Sequence, residues 1–218
     1  MSAAVLEVEI KLRAEEAALV ELASASSLGP AWFCAPRTVD ETDLYLDTDD
    51  GRLAAARWAC RVRSREGRRW IALKGPAREP TADAVHRRPE LEGDAPEGDA
   101  MEPMAWPPSP ARDLVTRLAG AAPLAERLSL HQRRTERDVL VGERRVGTLS
   151  LDVARVVRGG AELGTLRVVE LELVPPVAED LLRELRAALL ARAGLEPEPA
   201  SKLERALELS EGAGRTVA

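Results

Sequence analysis

Strict alternation opens the chain. In LEVEIKL, Leu6, Val8, Ile10 and Leu12 fall on one side of an extended backbone, and Glu7, Glu9 and Lys11 fall on the other. This period of two predicts a β-strand over residues 6–12. Further extended runs lie at 42–48, 56–64, 69–74, 85–92, 130–141, 146–157 and 166–174. Turn-prone tracts such as Asp49-Asp50-Gly51, Arg65-Glu66-Gly67 and Gly159-Gly160 separate them, giving about eight strands. Helical spacing predicts helices over 15–25 and 111–128, and another over 177–193, where Leu181, Leu182, Leu185, Leu189 and Leu190 form an apolar stripe. SKLERALEL at 201–209 reads as a short helix. Residues 93–110, rich in Pro, Gly, Asp and Glu, read as a surface linker inside one domain, with no role for Trp106, Pro107 or Pro108. That domain spans 1–210, and 211–218 are expected to form a flexible tail.

The polar faces of these strands are almost wholly ionisable. They present Glu7, Glu9 and Lys11; Asp43 and Asp47; Arg61 and Arg63; Lys74; Arg88, Glu90 and Glu92; Arg134; Asp152; and Glu170 and Glu172. An antiparallel sheet with one wet face explains some of this, but such faces ordinarily include Thr, Ser, Gln and Asn. Two features point to a site instead. LEVEIKL and VVELELV each set a Glu-x-Glu pair inside an apolar strand, with carboxylates about 7 Å apart on one side. A run of about eight strands can also close into a barrel with a polar interior that holds a ligand.

Composition narrows the class. The chain is 45% hydrophobic and 31% charged, too apolar for a disordered polymer, and has no run of about 20 apolar residues to span a membrane. A net charge of −6 argues against a nucleic-acid partner. SAAVLEVEIKL shows no secretory pattern, so a cytoplasmic location is expected. Cys34, Cys60, His86 and His131 are too far apart for a zinc motif or a disulfide framework and read as packing or surface residues. Basic residues divide into 28 arginines and three lysines, Lys11, Lys74 and Lys202, each in a segment singled out on other grounds.

Clustered carboxylates repel. At 4 Å and an effective dielectric near 20, a like-charge pair costs on the order of 4 kcal/mol. A divalent cation offsets this, and all-oxygen ligation favours a hard ion, Mg²⁺ or Mn²⁺, over zinc. The remaining cations suit a polyphosphate, because arginine forks match phosphate oxygens. The chain has neither a P-loop nor a GxGxxG pattern, so a glycine-rich phosphate cradle is not the mechanism.

EVEIK, followed in order by DLYLDT, RVR, ALKGP, RPELE, RRTER, LSLD, ELEL and SKLERAL, resembles the motif series of the CYTH superfamily, the triphosphate tunnel metalloenzymes. The resemblance spans nearly the whole chain and is closest to bacterial inorganic triphosphatases. It implies an α+β fold, an eight-stranded antiparallel β-barrel forming a tunnel with flanking helices. It further implies divalent-metal-dependent hydrolysis or cyclisation of a triphosphate. By that resemblance Glu7, Glu9, Glu170 and Glu172 are metal ligands, Asp152 joins them directly or through water, and Glu90 assists catalysis in the same way. Lys11, Arg61, Arg63, Lys74, Arg88, Arg134 and Lys202 would hold phosphates. Glu92 is less securely placed near a strand end, and Tyr45 reads as a packed residue.

The expected reaction is hydrolysis of inorganic triphosphate to pyrophosphate and phosphate by a monomer or homodimer. Three alternatives remain: a thiamine triphosphatase, an adenylate cyclase using the same tunnel, and a non-catalytic polyphosphate-binding module. Aromatics make up only 3% of the chain and show no base-reading cluster, which disfavours the cyclase. Both Glu-x-Glu pairs disfavour the pure binder, which gains nothing from added negative charge.

Overall fold

The computed structural model describes residues 5–77 and 83–215. In chain order the elements are β1 (Val5–Ala14), α1 (Glu16–Ser24), β2 (Ser27–Leu28), β3 (Ala31–Phe33), β4 (Arg37–Thr48) and α2 (Arg52–Ala55). Then come β5 (Ala59–Arg65), β6 (Arg68–Lys74), β7 (Val85–Asp94), α3 (Pro110–Ala119), β8 (Leu124–Val141) and β9 (Arg144–Arg158). The chain continues through β10 (Ala161–Leu173), α4 (Glu179–Leu190), β11 (Leu195–Pro197) and α5 (Lys202–Arg215). Eight strands pair in the order β4-β5-β6-β7-β1-β10-β9-β8, and β8 pairs back onto β4, closing an antiparallel barrel. The expected α+β barrel with flanking helices is therefore present. No helix among the described residues is long and apolar enough to cross a membrane.

Closure sorts the alternating residues into two environments. Directly paired residues share a face, and the pairs Glu7–Arg88, Lys11–Glu170, Asp43–Arg63, Lys74–Glu90 and Arg134–Asp152 all fall on the inner one. The intervening apolar residues point outward. Val8, Ile10 and Leu12 pack with Leu22 of α1 and Leu182, Leu185 and Leu189 of α4. Cys60, Val62, Ile71 and Leu73 pack under Leu53 of α2 and Leu114 and Val115 of α3. The cores thus lie largely outside the barrel, and each large aliphatic side chain buried there stabilises the fold by about 1.5–3 kcal/mol. One inward patch is apolar: Tyr45, Leu128, Leu130 and Val156 pack with Ala206 of α5, and Tyr45, buried there, also borders the lumen cavity.

Several boundaries differ from expectation for identifiable reasons. The helix expected to reach residue 128 stops at Ala119, because Gly120 adopts φ 64° and Pro123 follows; β8 begins at Leu124. The strand expected from residue 56 starts at Ala59, because Asp47 caps a short helix first. Its Oδ1 accepts from the Leu53 amide at 2.9 Å and its Oδ2 from the Ala54 amide at 3.0 Å. The segment 93–110 is more than a surface linker. Trp106 is buried against the α3 core and donates from Nε1 to the Ala100 carbonyl at 3.1 Å. Ser109 then caps α3 by accepting from the Arg112 amide, and Gly93 passes so close that a Cβ there would lie 2.3 Å from the Ser109 hydroxyl. Residues 211–215, expected in the tail, continue α5; 216–218 lie outside the described residues.

Candidate active site

The barrel interior contains a cavity of about 460 Å³, within the usual range for small-molecule sites. One wall, from β1, β6, β7 and β10, is rich in glutamate. Lys74 donates to Glu7, and Arg88 donates to Glu9. Lys74 also lies 3.7 Å from Glu90, and Lys11 lies 3.7 Å from Glu170. Glu9 faces Glu172 across the β1–β10 pair, with Glu172 exposed at the cavity edge.

The opposite wall, from β4, β5, β8 and β9, uses aspartates clamped by forks. Arg63 binds Asp43 through two contacts of 2.6 Å, while Arg61 and Gln132 reach the same carboxylate at 3.2 and 2.9 Å. Arg134 grips Asp152 through two contacts of 2.7 Å. Lys202, at the start of α5, donates to Asp152 at 2.5 Å and to Glu170 at 2.8 Å, tying the helix to the barrel interior.

The acids of the lumen titrate differently from one another. Burial alone would raise Asp43, yet Arg61 and Arg63 hold it well below the usual carboxylate range. Glu170 is likewise held well down, because Lys202, Lys11 and Arg134 overcome burial. Glu7 is raised to about 7 by burial and then by the adjacent Glu9, which Lys74 fails to offset. Burial and Glu170 push Glu9 upward, but Lys74, Arg88 and Lys11 bring it to about 2. Burial also lowers the Lys11 ammonium to about 8. Glu7 Oε2 is buried with no hydrogen-bond partner among the described residues.

Of the thirteen residues expected at the site, all but Asp152 line this cavity. Asp152 is fully buried, and both its oxygens are engaged by Arg134 and Lys202, so it fixes those cations in place and does not present a free face to the cavity. Among the described residues no three acids converge as a ready-made metal cage. The structure adds Glu41, a fully buried carboxylate 3.2 Å from Arg63 and 3.5 Å from Arg134. Its signal was present in the sequence: Glu41 precedes Asp43 by two, but the expected strand began one residue too late to include it. Trp70 and Ser150 also line the cavity. Cys60 packs outside the barrel, away from this interior. His86 is buried with Nε2 2.8 Å from the Glu198 carbonyl, and His131 is exposed.

A family model described as CYTH domain matches residues 6–207. Among solved structures, the chain is similar to an adenylyl cyclase candidate from Hippeastrum described as having a dominant triphosphatase activity. That likeness has a TM-score of 0.68 and 22% identity, covering 93% of this chain and 95% of the other. An adenylate cyclase candidate from Bacillus halodurans gives a TM-score of 0.65 and 21% identity, with 94% and 98% covered. A Pyrococcus horikoshii protein gives a TM-score of 0.53 and 18% identity, with 92% and 98% covered. No curated protein matches the sequence.

Proposed function

The chain belongs to the CYTH domain family, and on that premise we propose that it hydrolyses a triphosphate inside the barrel, inorganic triphosphate foremost, to pyrophosphate and phosphate. The observation that carries this reading is the convergence of seven cationic side chains and six carboxylates on one cavity inside the barrel. The cations bind and orient the phosphates. Arg61, Arg63 and Arg134 arrive already locked by buried carboxylates, so little reorganisation accompanies charge build-up on the leaving pyrophosphate. Asp152 positions Arg134 and Lys202.

The glutamate wall fits a hard divalent ion. Its donors are all oxygen, and Glu7, whose carboxyl burial and then Glu9 raise, keeps one oxygen without a hydrogen-bond partner among the described residues. Glu7, Glu9, Glu170 and Glu172 would hold Mg²⁺ or Mn²⁺, which supplies charge neutralisation and polarisation of phosphate oxygens. Glu90, 3.7 Å from Lys74 and 3.9 Å from Arg61, positions the attacking water and takes its proton. Water oxygen bonds to the terminal phosphorus as the P–O bond to pyrophosphate breaks, so no Ser, Cys or His nucleophile is needed.

One observation favours an organic triphosphate as a second reading: Trp70, with the Arg63 guanidinium 6.0 Å from its ring centre, supplies an aromatic surface in the cavity wall. Phosphate release from inorganic triphosphate, ATP, thiamine triphosphate and long-chain polyphosphate, each with Mg²⁺ or Mn²⁺, separates the readings. Fastest release from inorganic triphosphate without cyclic AMP is expected. No release from any of the four overturns the proposal.

A further inference from the structure

Lys11 and Lys202 border two cavities. Behind them, between the ends of β1 and β10, the Glu198 segment and α5, lies a second space of about 460 Å³. Arg13, Arg167 and Arg205 join the two lysines on its wall, with Glu198 and Glu208 as its lining carboxylates; the lysines are shared with the front cavity, where Lys11 faces Glu170 and Lys202 holds Asp152 and Glu170. The rear arginines have partners of their own: Arg13 pairs with Glu196, Arg167 with Glu16 at 3.2 Å, and Arg205 with Glu198 at 2.8 Å and Glu208 at 2.7 Å. The Arg13 and Arg167 pairs are solvent-exposed and therefore weak, which leaves those guanidinium groups available to an incoming anion. Arg167 Nε is buried and has no hydrogen-bond partner among the described residues, so one donor is already unmatched.

We propose that this rear cavity is an anion site of its own, taking a small tetrahedral oxyanion of the orthophosphate class. Arg13 and Arg167, held only by weak exposed pairs, supply charge to the anion, and arginine donors match its oxygens. Its shared border with the front cavity at Lys11 and Lys202 makes it a place for released phosphate to lodge. That second statement rests on the hydrolytic reading; the binding site does not.

Isothermal titration calorimetry with inorganic phosphate tests it, comparing the full chain with an Arg13→Gln/Arg167→Gln double variant and with Arg61→Gln at the front. Two phosphates should bind the unaltered chain. The rear variant should weaken one of them at least about tenfold, a change of about 1.4 kcal/mol, and Arg61→Gln should weaken the other. Because only exposed pairs are removed, the rear variant should melt within a few degrees of the parent, which checks its fold. Identical phosphate titrations of the parent and rear variant, or a single phosphate lost only with Arg61→Gln, overturn the proposal. Failure to hydrolyse any triphosphate would remove the proposed reaction while leaving this titration result intact.

Discussion

The two walls of the lumen contain the same kinds of charge arranged to opposite effect. On the β4–β5–β8–β9 side, short aspartates meet arginine forks at 2.6–2.7 Å, and every oxygen of Asp43 and Asp152 is engaged. On the β1–β6–β7–β10 side, longer glutamates crowd one another, and Glu7 keeps a proton up to about pH 7 with one oxygen unsatisfied. The first wall is a finished scaffold that aims cations into the cavity. On the second, Glu9 and Glu170 are held low by their cations, whereas burial and the neighbouring Glu9 keep Glu7 partly protonated near neutral pH. Wall chemistry thus separates fully compensated acids from one that is not within a single barrel.

The comparison breaks most visibly at Asp152. Asp152→Ala leaves Arg134 and Lys202 without their main buried partner, so a loss of about 3–5 kcal/mol in denaturant unfolding is expected. A loss below about 1 kcal/mol would show that this wall is no scaffold.

Glu7 sharpens the contrast from the other side. Its carboxyl titrates near 4.5 when unfolded and about 7 in the fold, so the folded chain retains a proton that the unfolded chain has lost. Stability from that proton is complete below pH 4.5 and lost as pH rises through 7. Glu9, at about 2 in the fold, contributes with the opposite sign, its stability being lost as pH falls through 4.5 toward 2, and this contribution is common to the parent and a Glu7 variant. Without added divalent ions, Glu7→Gln should therefore be more stable than the parent by up to about 3 kcal/mol above pH 7. The difference should vanish toward pH 4.5, and equal stability at pH 8 would contradict the assignment. The smallest effect lies outside both walls: Ser109→Ala removes the α3 cap and should cost about 1 kcal/mol in thermal unfolding, with triphosphate turnover unchanged.

Alternation made most of this barrel readable in the sequence. A period of two assigns Glu7, Glu9 and Lys11 to one face and Val8, Ile10 and Leu12 to the other whatever the remaining chain does. The direction of those faces depends on closure, a long-range pairing of β8 with both β4 and β9 that no local pattern contains. Sequence also treats Asp152 and Glu170 alike as acids on polar faces. Only the fold shows that Arg134 and Lys202 hold both, Asp152 through its two oxygens and Glu170 through Oε2 alone. Gly120 and Pro123 were readable stop signals that helical spacing obscured, whereas the burial of Trp106 follows from the docking of α3.

The division of labour between the walls is tested most directly by steady-state phosphate release from inorganic triphosphate with saturating Mg²⁺, comparing the parent with Glu9→Gln and Lys74→Ala. A fall in kcat of about 10²-fold for Glu9→Gln and a raised KM for Lys74→Ala are predicted. Parent-like kcat and KM in both variants would contradict the account.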